Sequence, residues 1–293
     1  MTKRVLVVGD FINDILVKSE SAARLDTDVH ARIQNHPGGS AANFACWLAA
    51  EGFSVDLVAR VSEEDHSALS GQIRGWGVNP KLQPDSIAPT GAIVALVEGN
   101  HRTFYTQRGA NDNLDLSQID ELGSYDLAYI SGYTIAASKD QSQVEKFFSK
   151  LKTEGVPIAV DPGSAGFIAD FSPVRFMEII EGVDYLFPSL EEGRLLSGED
   201  NPEIIAKFLS ERVVHSVVTL AENGAVYCSG DAFHLVPALN VEVVDPTGAG
   251  DAFAAGFIAK SITGKSPEAA LKHAILLGAR AVGNLGGRPL HGN

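Results

Sequence analysis

Residues 241–257 read VEVVDPTGAGDAFAAGF, in which a β-branched run is followed by a glycine-rich turn and then by a helix-forming stretch. Gly248, Ala249 and Gly250 would let the backbone approach a ligand closely. The first turn of the new helix would offer unpaired N–H groups and the positive end of the helix dipole. The segment therefore predicts an anion-binding turn between a strand and a helix. A carboxylate, Asp251, follows this turn directly.

Asp251 requires a chemical explanation if the turn binds an anion, because a carboxylate repels an anionic ligand. Phosphoryl transfer supplies one: the accepting hydroxyl loses its proton as it attacks phosphorus, and backbone N–H groups hold the charge on the transferred oxygens. An isolated GxGD turn is also compatible with a strand–turn–helix unit in which Asp only caps the helix. The rest of the sequence is needed to decide whether Asp251 is a catalytic base or only a helix cap.

The remainder of the chain alternates between short apolar runs and helix-forming stretches. Residues 5–8 form a β-branched run that ends at Gly9-Asp10, residues 41–51 are rich in helix formers and end at Gly52, and residues 55–58 are again apolar. Similar units recur at residues 125–131, 146–161, 184–198 and 216–224, and a long helical stretch covers residues 266–284. This βαβ pattern predicts an α/β fold with a mostly parallel, doubly wound sheet.

Two stretches interrupt the alternation and are typical of antiparallel strand pairs. The first pairs residues 12–17 with 30–34, and the second pairs 91–97 with 103–106 across a turn at 98–101. We expect them to form a small sheet, from about residues 12–36 and 91–108, that projects as a substrate lid from a single catalytic domain spanning residues 1–293. Exposed strand edges and an apolar face on this lid favour a homodimer formed through it.

A second glycine motif, PGGSAANFA at residues 37–45, precedes the first predicted helix. Gly38 and Gly39 would let a substrate hydroxyl reach the backbone without interference from a Cβ atom, and Asn43 can both donate and accept hydrogen bonds to a polyol. Asp14 follows the first strand, where the main body meets the predicted lid. All four are candidate acceptor-binding residues. The structural alternatives are a Gly-Gly loop that starts a helix and an Asp that forms a turn.

Together the two motifs, in this order, resemble the two signatures of the ribokinase family, the PfkB-type carbohydrate kinases, and the match covers nearly the entire chain. The resemblance implies a ribokinase-like three-layer sandwich with a small β-sheet lid. It also implies an ATP-dependent kinase that phosphorylates a hydroxyl of a small sugar or sugar derivative. The implied catalytic residues are Asp251 as base, with Gly248, Ala249 and Gly250 at the transferred phosphoryl group; the implied acceptor-binding residues are Asp14, Gly38, Gly39 and Asn43.

The resemblance further implies where the nucleotide and its metal bind. Thr219 and Gly224 lie in SVVTLAENGAV, residues 216–226, which is similar to the family's strand and turn beside the nucleotide. Glu192, in FPSLEE at residues 187–192, matches the carboxylate of an Asn-x-x-Glu element that organises the water shell of magnesium. ATP and Mg²⁺ are therefore the implied cofactors. A monovalent-cation site of the family corresponds to Asp245, Gly286 and Gly287, which makes K⁺ a further candidate.

Three positions depart from the family pattern. Ala221 stands where glycine is more usual, Ser189 replaces the Asn of the Asn-x-x-Glu element, and Ser62 occupies another position that is usually glycine. These departures put the local nucleotide, magnesium and loop contacts in question.

The sequence leaves the acceptor open. Arg108, in HRTFYTQRGAN at residues 101–111, has a guanidinium that suits a carboxylate or phosphate on an acidic or phosphorylated sugar, whereas an exposed lid arginine would simply be solvated. Ile12 and Gly132 stand where ribokinases carry polar sugar contacts. Residues 130–133, ISGY, resemble a stretch common in nucleoside kinases of the same superfamily, where a base needs room and an aromatic wall. A nucleoside kinase is therefore the alternative.

A non-catalytic nucleotide-binding protein and a dehydrogenase belong to different functional classes. A pure binder gains nothing from a buried carboxylate such as Asp251 beside phosphates. No GxGxxG follows the first predicted strand, where Gly9-Asp10-Phe11 stands instead, and this disfavours a dinucleotide-binding dehydrogenase.

Charge, the N-terminal residues and the cysteine count disfavour some classes of binding partner and some cellular compartments. The formal net charge of −14, with no run of Lys or Arg, disfavours nucleic acid and anionic membranes as partners. The N-terminal apolar run is too short for a signal peptide or a membrane span, which predicts a cytoplasmic protein. Cys46 and Cys228 are too few for a disulfide framework, and we expect both to be reduced and structural.

Overall fold

The computed structural model describes residues 2–19, 21–22, 25–98 and 101–290. The turn predicted at residues 98–101 is centred on Gly99 and Asn100 and so lies outside the described residues. The strands are β1 (Arg4–Val8), β2 (Ile12–Ser19), β3 (Ala31–Gly38), β4 (Ser54–Val58), β5 (Arg60–Ser62), β6 (Val78–Pro80), β7 (Gln83–Asp85), β8 (Gly91–Glu98), β9 (His101–Gln107), β10 (Leu127–Ser131), β11 (Ile158–Asp161), β12 (Tyr185–Leu186), β13 (His215–Thr219), β14 (Ala225–Ser229) and β15 (Ala232–Val236).

Helices alternate with these strands along most of the chain. They are α1 (Ser40–Ala50), α2 (Glu63–Arg74), α3 (Gly132–Ala137), α4 (Gln141–Thr153), α5 (Ala165–Phe171), α6 (Pro173–Ile180), α7 (Leu190–Ser197), α8 (Pro202–Ser210), α9 (Ala249–Ser261) and α10 (Pro267–Val282). Short 3₁₀ turns connect some of the elements, including one at Gly109–Asn113 directly after the lid.

The main sheet has the strand order β15-β14-β13-β12-β11-β10-β1-β4-β6 within the described residues. Neighbours from β6 to β13 run parallel, while β14 and β15 extend the sheet as antiparallel strands at one edge. The mostly parallel, doubly wound sheet that the sequence predicted is therefore confirmed. Because β4 and β10 flank β1, the chain order reverses there, and ligands of such sheets bind at the carboxyl ends of the strands beside that point.

Strand β1 illustrates how the sheet is buried on both faces. Val5 and Val7 belong to one core, which contains residues of α1, α9 and α10, whereas Leu6 and Val8 belong to the other, which contains residues of α4, α6 and α8. All four side chains are fully buried. Alternate residues of a strand point to opposite faces, so a strand buried on both sides needs a continuous apolar run. The result is the predicted three-layer sandwich.

The lid is a four-stranded sheet in the order β3-β2-β8-β9. The pairs β2–β3 and β8–β9 are antiparallel as predicted, but β2 and β8 pair in parallel. The sequence patterns did not indicate this central pairing, because it depends on where the intervening α1–α2 region returns the chain. Strand β3 also extends to Gly38, four residues beyond its predicted end, so the glycine motif joins the lid directly to α1.

The two cysteines, Cys46 and Cys228, are buried and free. None of the helices in the described part of the chain has the length and apolar character that a bilayer crossing requires.

Candidate active site

A cavity of about 300 Å³ lies where the lid meets the carboxyl ends of the central strands. Most of the residues singled out from the sequence line it: Asp14, Gly39, Asn43, Arg108, Glu192, Thr219, Gly248, Ala249, Gly250 and Asp251. Gly38 and Gly224 do not line the cavity. Among the described residues, the charged lining consists of one guanidinium and five carboxylates, namely Arg108, Asp10, Asp14, Asp161, Glu192 and Asp251.

Asp251 lies in the first turn of α9, and both of its oxygens accept hydrogen bonds from α1. Ser40 Oγ donates to Oδ1 at 2.7 Å, and Asn43 Nδ2 donates to Oδ2 at 3.0 Å. Burial raises the pKa of Asp251 to about 7; the two hydrogen bonds oppose the rise, whereas Asp10 and Asp14 add to it. A carboxylate with this pKa accepts a proton near neutral pH, as a general base must.

The glycine turn before Asp251 leaves space and free donors on the cavity side. Gly248 has φ +74°, and a Cβ atom there would clash with Gly287, whereas a Cβ atom on Gly250 would meet nothing within 4 Å. In the described residues the N–H groups of Gly250 and Asp251 have no hydrogen-bond partner, while that of Ala249 donates to Pro246 O at 3.3 Å. The predicted anion-binding turn thus has two free donors at the helix start.

Asp245 fixes the start of the same turn. Its Oδ1 accepts hydrogen bonds from Thr247 N at 3.0 Å and Thr247 Oγ1 at 2.7 Å, and its Oδ2 accepts from Gly286 N at 3.1 Å. The residues that the resemblance associates with a monovalent cation therefore lie together, and Asp245 links them to the anion-binding turn.

The glycine pair is explained by close packing around two aspartates. A Cβ atom on Gly38 would clash with the carboxylate of Asp14, and a Cβ atom on Gly39, which has φ +93°, would lie 2.5 Å from Asp10 O. The pKa of Asp14 is raised to about 7, mainly by burial and also by Asp10 and Asp245, while Arg288 opposes the rise. The space that the sequence assigned to a substrate hydroxyl at Gly38 is therefore filled by the side chain of Asp14.

Asp10, at which the first apolar run of the sequence ends, also lines the cavity. Its Oδ2 accepts a hydrogen bond from Ser40 N at 2.9 Å, and its Oδ1 accepts one from Ser131 Oγ at 3.0 Å. It thereby connects the ends of β1 and β10 to the start of α1. In the sequence, only the position of Asp10 directly after the first strand indicated that it could belong to the site.

Thr219 and Gly224 have different positions relative to the cavity. Thr219 ends β13 and lines the cavity. Gly224 has φ +100°, and a Cβ atom there would clash with Val236 O, so this glycine lets the β13–β14 turn pack against β15. Ala221, where the family usually has glycine, adopts φ +50°, a conformation that favours glycine.

Glu192 and Ser189 form a capping box at the start of α7. Glu192 Oε2 accepts a hydrogen bond from Ser189 N at 2.8 Å, and Glu192 N donates to Ser189 Oγ at 3.3 Å. This explains how Ser can replace Asn here, since both residues cap helices. Ser62 likewise caps α2 by accepting a hydrogen bond from Asp65 N at 3.1 Å. Burial raises the pKa of Glu192.

The sequence interpretation missed Asp161, the last residue of β11. It lines the cavity, and burial followed by repulsion from Glu192 and Asp251 raises its pKa well above the usual range. A carboxylate at the carboxyl end of a parallel strand was the signal that could have identified it.

Asp161 and Glu192 are suitable partners for Mg²⁺. Within the described residues, no group of three or more His, Cys, Asp and Glu side chains could hold a metal ion. Mg²⁺ needs only one or two carboxylates when water and nucleotide phosphates supply its other ligands. A divalent cation would also relieve the repulsion between these two carboxylates. The donor set therefore fits nucleotide-bound magnesium rather than a site formed by protein alone.

Arg108 is buried beside two aromatic rings at the lid end of the cavity. Its guanidinium carbon lies 5.4 Å from the ring centroid of Tyr133 and 5.9 Å from that of Phe167. These rings make an edge-to-face contact at 5.1 Å, and Tyr133 Oη donates to Gly163 O at 2.9 Å. Gly132 has no room for a side chain, because a Cβ atom would clash with Pro162 O.

Residues 286–289, which we call the C-terminal strap, cross behind the glycine motifs. Trp47 Nε1 donates to Gly287 O at 2.9 Å, Trp76 Nε1 donates to Pro289 O at 3.1 Å, and Arg288 Nη2 donates to Gly38 O at 3.1 Å. The guanidinium of Arg288 lies 4.9 Å from the rings of both Phe11 and Trp76. The strap connects the lid junction to the turn before Asp251.

Comparison with known proteins agrees with this geometry. The family model described as pfkB family carbohydrate kinase matches residues 2–291. The ribokinase of Bacillus subtilis (strain 168) is 27% identical, covering 98% of this chain and 96% of that protein. The 2-dehydro-3-deoxygluconokinase of Thermoproteus tenax is 30% identical over 86% of this chain and 81% of that protein. A crystal structure of a candidate ribokinase II from E. coli with ATP and Mg²⁺ superposes with a TM-score of 0.83 and 25% identity. The match covers 98% of this chain and 94% of that one.

Proposed function

Since this chain belongs to the pfkB family of carbohydrate kinases, we propose that it transfers the γ-phosphoryl group of ATP to a hydroxyl of a small sugar or sugar derivative. The main support is the environment of Asp251, a buried carboxylate with a pKa of about 7 at the start of α9. Free N–H groups of the anion-binding turn lie next to it. General-base catalysis and phosphoryl-group binding are the two functions that phosphoryl transfer requires of a protein.

The proposed reaction uses both sides of the cavity. The acceptor binds between the lid and Asp14, and one of its hydroxyl groups donates a hydrogen bond to Asp251. The Asp251 carboxylate takes the proton as the hydroxyl oxygen attacks the γ-phosphorus of ATP, the bond from that phosphorus to the bridging oxygen breaks, and ADP leaves. The N–H groups of Gly250 and Asp251 donate to the transferred phosphoryl oxygens, where negative charge is concentrated.

Asp161 and Glu192 would hold Mg²⁺ together with the nucleotide phosphates. The bound ion would partly neutralise those phosphates during transfer. Thr219, at the end of β13, would contact the nucleotide. We also propose that Asp245, with Gly286 and Gly287, favours activation by a monovalent cation such as K⁺, since these residues border the anion-binding turn.

The lid and the main sheet act as one catalytic domain in this proposal. Both contribute to the cavity lining: Ile12, Asp14, Ile93 and Thr106 come from lid strands, and Asp161 and Thr219 from the main sheet. A closed lid would exclude water, which would otherwise compete with the acceptor for the phosphoryl group.

The test is ADP release from Mg-ATP in the presence of neutral sugars, sugar acids, sugar phosphates and nucleosides. We expect turnover with one class of acceptor and a roughly 10²–10⁴-fold lower kcat in Asp251→Asn, the usual contribution of a general base. The matched control is Asp120→Asn, because Asp120 is 83% exposed and does not line the cavity. Turnover by Asp251→Asn at the wild-type rate would refute the assignment.

A nucleoside kinase is the second candidate function, and the aromatic pair Tyr133 and Phe167 favours it. Their rings line the acceptor end of the cavity and could contact a nucleobase. The same panel discriminates the two, since a nucleoside kinase would turn over nucleosides and leave free sugars untouched. ATP binding without any turnover would instead indicate a nucleotide-binding protein that keeps the fold.

A further inference from the structure

Arg108 is a buried cation that the reaction proposed above does not use. It follows β9 directly, at the edge where the lid joins the body, and its side chain is only 7% exposed. The sequence left open whether this arginine is solvated. The side chain is packed inside the protein, and its terminal amino groups remain accessible from the cavity.

Only one of the three nitrogens of this guanidinium donates a hydrogen bond within the described part of the protein. Arg108 Nε donates to Asp112 Oδ1 at 3.0 Å, and Asp112 is itself 34% exposed. In the described residues the two terminal amino groups of Arg108 have no hydrogen-bond partner, and the side chain lines the cavity. Donors of a guanidinium that face a cavity in this way are available to an anionic group of a ligand.

Two aromatic rings lie beside the guanidinium. Its carbon is 5.4 Å from the ring centroid of Tyr133 and 5.9 Å from that of Phe167, and the Tyr133 hydroxyl donates to Gly163 O. Cation–π contacts of this kind favour one position of an arginine side chain and of its forked donors. Carboxylate and phosphate groups are the ligands whose paired oxygens match that fork.

The remainder of the charged lining is acidic, which restricts where an anionic acceptor can bind. Asp10, Asp14 and Asp251 would repel a carboxylate or phosphate of the acceptor, and the anion-binding turn is occupied by the transferred phosphoryl group in the proposed reaction. Arg108 is the single cation in the described lining. An acceptor with one anionic end would therefore bind in one direction, with that end at Arg108 and a hydroxyl at Asp251.

We propose that Arg108 forms an anion subsite and that the acceptor of the kinase reaction proposed above is a sugar acid or a sugar phosphate. The shared chemistry is a group with two or more anionic oxygens, bound by the terminal amino groups of Arg108. Neutral sugars and nucleosides lack this group and leave the guanidinium without a partner.

The first experiment compares kcat/KM within matched pairs of acceptors on the wild-type protein. Gluconate is compared with glucitol, and fructose 6-phosphate with fructose, at fixed Mg-ATP. We expect the anionic member of at least one pair to be preferred by roughly 10–100-fold, the worth of one hydrogen-bonded charge. Preference in the first pair identifies a carboxylate, and in the second a phosphate. Equal or better turnover of the neutral members, or turnover of nucleosides instead, overturns the proposal.

Variants of Arg108 test the source of the preference. In Arg108→Gln the KM for the anionic acceptor should rise roughly 10–100-fold, with the KM for ATP unchanged. Arg108→Lys keeps the charge without the fork and should recover part of the loss. The matched control, Arg74→Gln, changes an exposed arginine at the end of α2. An unchanged preference in both Arg108 variants would contradict the proposal.

A binding measurement separates this subsite from the kinase reaction itself. Gluconate and fructose 6-phosphate are titrated calorimetrically into the wild type, Arg108→Gln and Arg108→Lys without ATP. Binding by the wild type that is lost in Arg108→Gln supports the subsite even if no compound is phosphorylated, in which case only the kinase function fails. Failure of the wild type to bind either anion at millimolar concentration overturns the subsite, whether or not neutral acceptors are phosphorylated.

Discussion

Ser40 Oγ donates a 2.7 Å hydrogen bond to Asp251 Oδ1, which joins the first residue of α1 to the first turn of α9 across 211 positions of the chain. The second oxygen of Asp251 is held by Asn43, from the same first helix. The two glycine motifs recognised in the sequence are therefore one unit, in which the N-terminal motif orients the base of the C-terminal motif. Ser40 is a positioning residue for Asp251.

Replacing Ser40 by Ala should move the pH dependence of the reaction. The Ser40 hydrogen bond lowers the pKa of Asp251, so its loss should raise that pKa above about 7. The base form then exists only at higher pH, and the acid limb of the kcat profile should shift upward by about one pH unit. The measurement is kcat from pH 5.5 to 9, with Ser149→Ala on the exposed face of α4 as the control. A lower kcat with an unmoved acid limb would contradict the positioning role.

Asp251→Asn should stabilise the fold at alkaline pH. The folded-state pKa of about 7 is raised above the ordinary value of 3.8, so folding favours the protonated form. The stability that this proton gives is present at acid pH and is lost as pH rises through about 7. The amide that replaces the carboxylate does not ionise, so the Asp251→Asn variant avoids that loss. We expect its free energy of unfolding at pH 8 to exceed that of the wild type by roughly 2 kcal/mol.

Urea unfolding at pH 8 and at pH 5 tests this expectation. The gain should be much smaller at pH 5, where the wild-type carboxylate is already protonated in the folded state. The same gain at both pH values would show that the charge of Asp251 is not its source.

Gly38→Ala should weaken acceptor binding. The new Cβ atom would clash with the carboxylate of Asp14, which has to move out of its position in the cavity. We expect the KM for the acceptor to rise at least about 10-fold, the worth of one charged hydrogen bond, with the KM for ATP nearly unchanged. Gly71→Ala in α2 is the matched control, because a Cβ atom there meets nothing within 4 Å. A KM for ATP that rises as much as the acceptor KM would indicate a general distortion instead.

Ala221→Gly should stabilise the protein. Ala221 adopts φ +50°, which costs about 1–2 kcal/mol for a residue with a Cβ atom, and the greater freedom of glycine in the unfolded chain offsets part of the gain. We therefore expect the free energy of unfolding to rise by roughly 0.5–1 kcal/mol, measured from the urea midpoint with an unchanged slope. A destabilised variant would mean that the left-handed conformation is not strained at this position.

The lid should mediate a homodimer. The register places Ile15, Val17, Ile33, Val94 and Tyr105 on the lid face opposite Asp14. Ile33 on edge strand β3 is 66% exposed and Tyr105 on edge strand β9 is 60% exposed, so apolar side chains are open to solvent at both edges of this face. We expect a dimer in sedimentation equilibrium for the wild type and for the control Val174→Glu on α6, and a monomer for Ile33→Glu. A monomeric wild type would rule this interface out.

The sequence predicted the parts of the molecule that depend on short-range patterns. Apolar runs such as Val5–Val8 and helix-forming stretches such as residues 266–284 gave the doubly wound sheet, and the turn ending in Asp251 gave the candidate base. It could not predict the parallel pairing of β2 with β8, because periodicity specifies a strand but not its partner.

The polar residues of the site were likewise predictable only where a short-range sequence pattern marks them. Asp161 and Asp10 have no distinctive neighbours in sequence, and only the meeting of strand ends brings them to the cavity. Arg108 was left between a solvated and a binding residue, because burial depends on Tyr133 and Phe167 from other elements. Gly224 was assigned to the nucleotide, yet its position is explained by packing against Val236.

The C-terminal strap has a consequence for the order of folding during synthesis. Gly287 packs against both Gly248 and Asn43, and Arg288 holds Gly38, so the catalytic centre contains chain segments about 250 positions apart. Contacts of such high sequence separation form late, because the intervening chain must be ordered first. The lid and the first strands therefore emerge from the ribosome long before the strap can reach them. A nascent chain that stalls before position 287 would contain the glycine pair and Asp251 but would lack the Gly287 backbone that packs against both Gly248 and Asn43.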